Sequence, residues 1–139
     1  MTTSFSGALE RQQDRAYALL RVLSGLMFSF HGVQKIFGVL TDHAPPAVGS
    51  QLWVGGLIEL VCGLLIAAGA FTRYAAFLAS GTMAVAYAQF HWEFAFDTHF
   101  FPAVNHGELA AVYALLFFFV ACKGSGVFAV DAQRATRTA

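Results

Sequence analysis

Residues 52–71 read LWVGGLIELVCGLLIAAGAF. Apart from Glu59 this run carries no charge, and about twenty apolar residues in a helix cross the hydrocarbon core of a bilayer. A carboxylate in that setting costs roughly 2.5–3.5 kcal/mol on insertion scales, so it is expected to face protein rather than lipid. On a helix Gly55, Gly56 and Gly63 fall four before, three before and four after Glu59, on its own face. Small residues on one face let a neighbouring helix approach closely. Glu59 is therefore expected to point into a helical bundle.

The rest of the composition agrees. Of 139 residues 58% are hydrophobic and only 12% charged, with mean hydropathy +0.61; a soluble domain carries about 25% charged residues. The formal net charge is zero, and no basic stripe suggests a nucleic-acid partner. Cys62 and Cys122 both lie in apolar runs, not spaced as C-x-x-C, and read as buried structural thiols. Residues 1–15 are polar, and no small-residue cleavage site follows the first apolar run, so that run is expected to remain as a helix.

Outward from Glu59 the chain divides into four spans, at about 16–39, 52–71, 74–90 and 106–121. They form a transmembrane domain over 16–123, between a polar N-terminal segment (1–15) and a tail (124–139). The fold class expected is all-α: a polytopic four-helix membrane bundle, with the bilayer as its surroundings. Arg11, Arg15, Arg73, Lys123, Arg134 and Arg137 fall on one side of it, and the other two connections hold no Lys or Arg. The positive-inside rule then places both termini in the cytoplasm. Trp53 and Trp92 come out at the opposite interface, where tryptophan is favoured. Arg21, near the start of the first span, is expected to snorkel to the near interface. Arg73 reads as a topology anchor that also caps the second span.

Polar groups gather in the outer half. His31, Gln34, Lys35 and Gly38 stand at i, i+3, i+4 and i+7 on one face of the first span. A rise of about 1.5 Å per residue puts His31 and Glu59 at similar depth, with Lys35 one turn nearer the surface and within reach of Glu59 or Glu108. Gln89 and His91 on the third span, and Asn105, His106 and Glu108 at the start of the fourth, lie at the outer mouth. The inner half reads as almost wholly apolar. Asn105 and Glu108 have the form of a helix cap with its capping-box acid. The connection 92–105, rich in Phe, is expected to lie at the membrane surface. His43, His91, His99 and His106 match no metal-ligand spacing, and no metal is expected.

His31-Gly32-x-x-Lys35-x-Phe37-Gly38 resembles the first-helix motif of the DoxX family. Gly56-x-x-Glu59-x-x-x-Gly63, running through Gly69 to Thr72-Arg73-x-Ala75-Ala76, is similar to its second. Asn105-x-Gly107-Glu108, then Gly124-x-Gly126 and Asp131, are similar to its fourth-helix and tail pattern. The resemblance implies a small bacterial inner-membrane protein. It also implies a place beside membrane redox complexes, whose relatives include a subunit of a thiosulfate:quinone oxidoreductase. One departure is the long aromatic third loop.

On that footing His31, Gln34, Lys35, Glu59, Gln89, Asn105 and Glu108 are the candidate ligand-binding residues, and Glu59 the candidate for proton exchange. Quinone is the candidate ligand, walled by Met27, Phe28, Phe30 and Phe37. No flavin, haem or nucleotide motif is present, so electrons would come from a partner subunit, in a hetero- or homo-oligomer, and no self-contained catalytic motif marks an enzyme. Two other readings stay open. The Glu59 constellation is equally a buried ion pair ordering a non-catalytic anchor or assembly subunit. A proton or solute path is the third reading.

Overall fold

The computed structural model describes residues 4–137. Its helices are α1 (Phe5–Glu10), α2 (Gln13–Phe37), α3 (Gln51–Ala68), α4 (Thr72–Tyr87), α5 (Pro102–Asn105), α6 (Glu108–Lys123) and α7 (Val130–Arg137). A π turn, Ala88–Trp92, extends α4, and a 3₁₀ turn, Thr98–Phe100, precedes α5. No strand occurs among the described residues. Two helices, α2 and α3, are long and apolar enough to cross a membrane. The 16 residues of α4 and of α6 each span about 24 Å.

Local chemistry sets the helix ends. Gly38 (φ +64°) and Gly69 (φ +68°) close α2 and α3 in the left-handed conformation that glycine adopts without strain. Ser50 begins α3, its hydroxyl accepting from the Trp53 N–H.

The closest helix contact is α2 on α3, and glycine makes it. A Cβ on Gly32 would lie 2.6 Å from the Gly56 carbonyl oxygen, and one on Gly25 would lie 2.7 Å from that of Gly63. The two backbones therefore touch directly, as small-residue packing allows. Gly55 is the exception to the expectation for this face. A Cβ there would meet nothing within 4 Å, because Gly55 turns away from α2.

Helices α2, α3, α4 and α6 share one core. Phe28, Ile66, Ala76, Ala79, Phe117 and Val120 are wholly buried in it. Phe28 packs edge-on against Phe117 with ring centroids 4.8 Å apart, and Tyr113 stacks on Phe117 at 5.3 Å. The alanine face of α4 lets α6 close on it, and Ser80 donates to the Ala114 carbonyl at 2.7 Å. Cys62 is buried here, whereas Cys122 is exposed, since it lies on the face of α6 turned away from the core.

The start of α2 and the segment that follows α6 meet at one end of the molecule, and that end is not apolar. Arg21 does not reach outward as its position near a helix start suggested. It is fully buried, with Nη1 donating to the Ile66 and Ala67 carbonyls at 2.5 and 2.7 Å and Nη2 to the Phe128 carbonyl at 2.9 Å. The last carbonyls of a helix lack partners within it; Arg21 takes that of Ala67 and shares that of Ile66 with the Gly69 N–H. Arg73 serves α6 rather than α3: its Nη1 donates to the carbonyls of Ala121 (2.9 Å) and Cys122 (2.5 Å), its Nη2 to that of Lys123 (3.3 Å). Asp131 caps the start of α4, accepting from the Phe71 and Thr72 N–H groups and the Thr72 hydroxyl, each at 2.9 Å. Tyr17 donates to the Gly124 carbonyl at 2.5 Å. The tail is thereby fastened across the ends of α2, α3, α4 and α6.

Candidate functional site

At the opposite, loop-bearing end the expectation for Glu59 is realised in one contact. Lys35 Nζ donates to Glu59 Oε1 at 2.5 Å. The close α2–α3 packing produces this pair. With Gly56 against the Lys35 Cβ, the lysine stem can lie flat on α3 and its ammonium reaches the next turn. The choice between Glu59 and Glu108 is settled: Glu108 stays exposed at the start of α6.

The two charges differ in access. The Glu59 side chain is 3% exposed and that of Lys35 35%. Glu59 Oε2 is buried and has no hydrogen-bond partner. A buried carboxylate oxygen left unpaired is costly, about 1–3 kcal/mol or more. Arg21 Nε and Tyr113 Oη are likewise buried without partners, and Glu59 is the one that lines the cavity between α3 and α4.

That cavity, of about 550 Å³, lies between α3 and α4. Gly55, Ile58 and Glu59 line one side and Phe77, Gly81 and Met83 the other, with Lys35 at the edge. Its surface is almost entirely apolar. Neither Gly55 nor Gly81 has a neighbour where a Cβ would stand, so missing side chains on both helices help to form the space. Gln51, which lines the loop-side mouth, is hydrogen-bonded to Gln89 on the π turn. A second cavity, of about 410 Å³, opens on the other side of Lys35 and is lined by Gln34, Thr41 and His43.

The remaining candidates are dispersed. His31 is half-buried and its ring stands edge-on to Tyr113 of α6, centroids 6.3 Å apart. Gln34 donates to the Leu40 carbonyl at 2.7 Å and holds the loop. Phe28 belongs to the core, and Met27, Phe30 and Phe37 are exposed, so the cavity walls come from α3 and α4 instead of α2.

Asn105 and Glu108 do not form a capping box. The residue before α6 is Gly107, with no side-chain cap, because His106 (φ +58°) turns the chain between α5 and α6. The Asn105 side chain is used within that corner. Its Oδ1 accepts from the Gly107 N–H at 2.8 Å, and its Nδ2 donates to the His99 carbonyl at 2.6 Å and the Tyr87 hydroxyl at 3.3 Å. His91 faces the Asn105 carbonyl, and His99 the Asp97 carboxylate at 3.0 Å. Among the described residues no three His, Cys, Asp or Glu side chains are grouped to hold a metal ion. Trp92 packs with Phe94, Phe96 and Phe100, ring centroids 5.4–5.5 Å apart, and together they form an aromatic cluster on the loop.

The α4 half of the cavity escaped the sequence reading. Its sign was Gly81, a glycine inside a helix, where an unused side-chain position marks either close packing or space.

The DoxX family model matches residues 16–92. An uncharacterized protein of Haemophilus influenzae is 40% identical over 126 residues, covering 88% of this chain and 93% of that protein. No solved structure matches.

Proposed function

Because the chain belongs to the DoxX family of membrane proteins, we propose that it works in the inner membrane as a subunit or accessory protein of a redox system, holding a quinone-type ligand between α3 and α4. In this reading α2, α3, α4 with its π turn, and α6 are the four membrane spans, and both termini are cytoplasmic. The lengths of α2 and α3, the charge asymmetry and the meeting of the start of α2 with the tail at one end support that arrangement.

The observation that carries the reading is a buried acid–base pair opening on an apolar cavity. A volume of about 550 Å³ is within the usual range for small-molecule sites, as are mostly apolar walls with a few convergent polar groups. The residues suit such a ligand: Ile58, Phe77, Met83 and Phe90 would enclose a ring and tail, and the Lys35 ammonium has protons to donate to a ring oxygen. Quinone would supply the electron-accepting chemistry. The chain's own part would be to bind it, to keep water away, and to supply protons to the reduced ring oxygens through Lys35 and Glu59, both of which line the cavity. The electrons would come from a partner protein.

Purification with native lipids, followed by lipid extraction, tests the reading. Quinone is expected at about one per chain, and is expected to be lost in Gly81→Leu, which fills the cavity from α4. A protein free of quinone that also takes none up on addition would leave Lys35–Glu59 as a structural pair in an assembly subunit.

A further inference from the structure

The end where the start of α2 meets the tail carries a surplus of positive charge. Every Lys and Arg of the chain except Lys35 falls in or next to the segments that meet there, while the acids there are only Glu10, Asp14 and Asp131. A cavity of about 340 Å³ opens at this end, between the start of α4 and the turn that follows α6. Arg73, Tyr74, Lys123, Ser125, Gly126 and Asp131 line it, with Phe71 beside them.

Its donors and acceptors are unequally used. Both Asp131 oxygens are taken, by the Phe71 and Thr72 N–H groups and the Thr72 hydroxyl. Arg73 makes three hydrogen bonds to the end of α6, and a guanidinium has five N–H donors. Lys123 Nζ lies over the Tyr17 ring, 4.8 Å from its centroid. Among the described residues it has no hydrogen bond or ion pair, and the Ser125 hydroxyl, the Ser125 N–H and the Gly126 N–H have no partner either. Arg73 and Lys123 are exposed and Ser125 is half-buried, so a ligand can reach these residues. The cavity has positive charge and donors to spare, and no carboxylate left unpaired.

A phosphodiester supplies what is missing, a negative charge on oxygens that accept from several donors at once. The surroundings say where that phosphodiester comes from. Phe71 and Tyr74 line the cavity and are 58% and 80% exposed, and Phe77, one turn further along α4, is exposed as well. A free phosphate ion gains nothing from that apolar surface, whereas a lipid lays its acyl chains along it. We infer that this cavity binds the phosphodiester headgroup of an anionic phospholipid in the cytoplasmic leaflet. Basic pockets at that face of a membrane attract such headgroups. A zwitterionic headgroup brings an ammonium too, and with Asp131 committed to α4 there is no carboxylate to receive it. The inference goes beyond the proposed function and shares with it only the orientation that puts this end in the cytoplasm.

The test measures lipid retention by native mass spectrometry on the purified full-length protein, using phosphatidylglycerol and phosphatidylethanolamine with the same acyl chains. Phosphatidylglycerol is expected to bind about tenfold more tightly. Lys123→Gln is expected to remove most of that preference. Arg11→Gln removes an exposed charge near the same end but outside the cavity, and is expected to keep it. Equal binding of the two lipids, or an equal loss in the two variants, would overturn the headgroup site. Displacement of phosphatidylglycerol by inorganic phosphate at the same concentration would overturn the lipid as the source of the anion. The two lipids on the natural protein decide the matter alone should Lys123→Gln fail to fold. None of these readouts involves quinone, so this inference and the proposed function fail separately.

Discussion

Two ends of one helical molecule bury charge in opposite ways. At the terminal end, Arg21, Arg73 and Asp131 direct their charged atoms at backbone groups that helix ends leave unpaired. At the loop end, Lys35 and Glu59 meet each other beside an apolar cavity, and the second carboxylate oxygen has no partner. The first arrangement is closed but for one atom, the buried Arg21 Nε, since its other partners are carbonyls and N–H groups of the chain itself. The second leaves one carboxylate oxygen without a partner among the described residues. Buried polarity by itself does not mark a functional site.

The strongest way to break this contrast is to remove the centre of the closed end. Arg21→Ala removes the donor of the Ala67 and Phe128 carbonyls and leaves the Ile66 carbonyl with the Gly69 N–H alone. Three hydrogen bonds to a charged group, at about 1.5–3 kcal/mol each, put the loss at about 4 kcal/mol or more. Folded protein is expected to vanish from size-exclusion profiles in mild detergent. A variant that melts within a few degrees of the natural protein would show the terminal end to be dispensable.

Next in size is the α2–α3 seam that brings Lys35 onto Glu59. Gly32→Ala places a methyl group 2.6 Å from the Gly56 carbonyl. Overpacking of this kind costs about 2 kcal/mol. The helices must part, and the ion pair should loosen with them. Both a lowered melting temperature and weakened ligand binding are expected. Lowered stability with binding intact would separate the pair from the seam. Gly81→Leu should do the reverse, changing stability by less than about 0.5 kcal/mol while abolishing binding.

How far each end was legible follows from the range of the contacts. The α2–α3 seam was readable because Gly56, Glu59 and Gly63 recur at helical spacing, and the lysine one turn from His31 lies on the facing helix. Both signals are local in sequence. Gly55 misled because it stands next to Gly56: spacing alone put both on the Glu59 face, and only the partner helix decides which of them is covered. The terminal end was misread for a different reason. Arg21 lies 45 residues from Ile66 and 107 from Phe128, and an arginine near a helix start has the same local pattern whether it snorkels outward or turns in to cap a neighbour. Asn105 and Glu108 copied the spacing of a capping box, but the left-handed turn at His106 put Gly107 in the cap position. The cavity required two helices to be known at once, so Gly81 carried no meaning until α3 was placed opposite.

The smallest effect expected concerns Asp131, and it tests whether the closed end is electrostatic as well as geometric. Burial acts to raise this carboxyl, but the Thr72 and Phe71 hydrogen bonds, with the nearby Arg134, outweigh it and hold Asp131 below its ordinary value of 3.8. A carboxyl depressed in the folded state contributes stability that is fully present above its unfolded value and is lost as the pH falls through the folded one. The tail should therefore stay fastened down to the ordinary carboxyl value of 3.8 and loosen only as the pH falls below it, seen as faster amide exchange at Phe71 and Thr72. Asp131→Asn retains one acceptor and lacks the charge, so its exchange at these two amides should be faster at neutral pH and flat across the acid range. Lys35–Glu59 takes no part in the fastening, so ligand binding by Asp131→Asn at neutral pH should equal that of the natural protein. If binding falls along with the tail's release, the two ends are coupled through α3, and the division between a closed end and an open one does not hold.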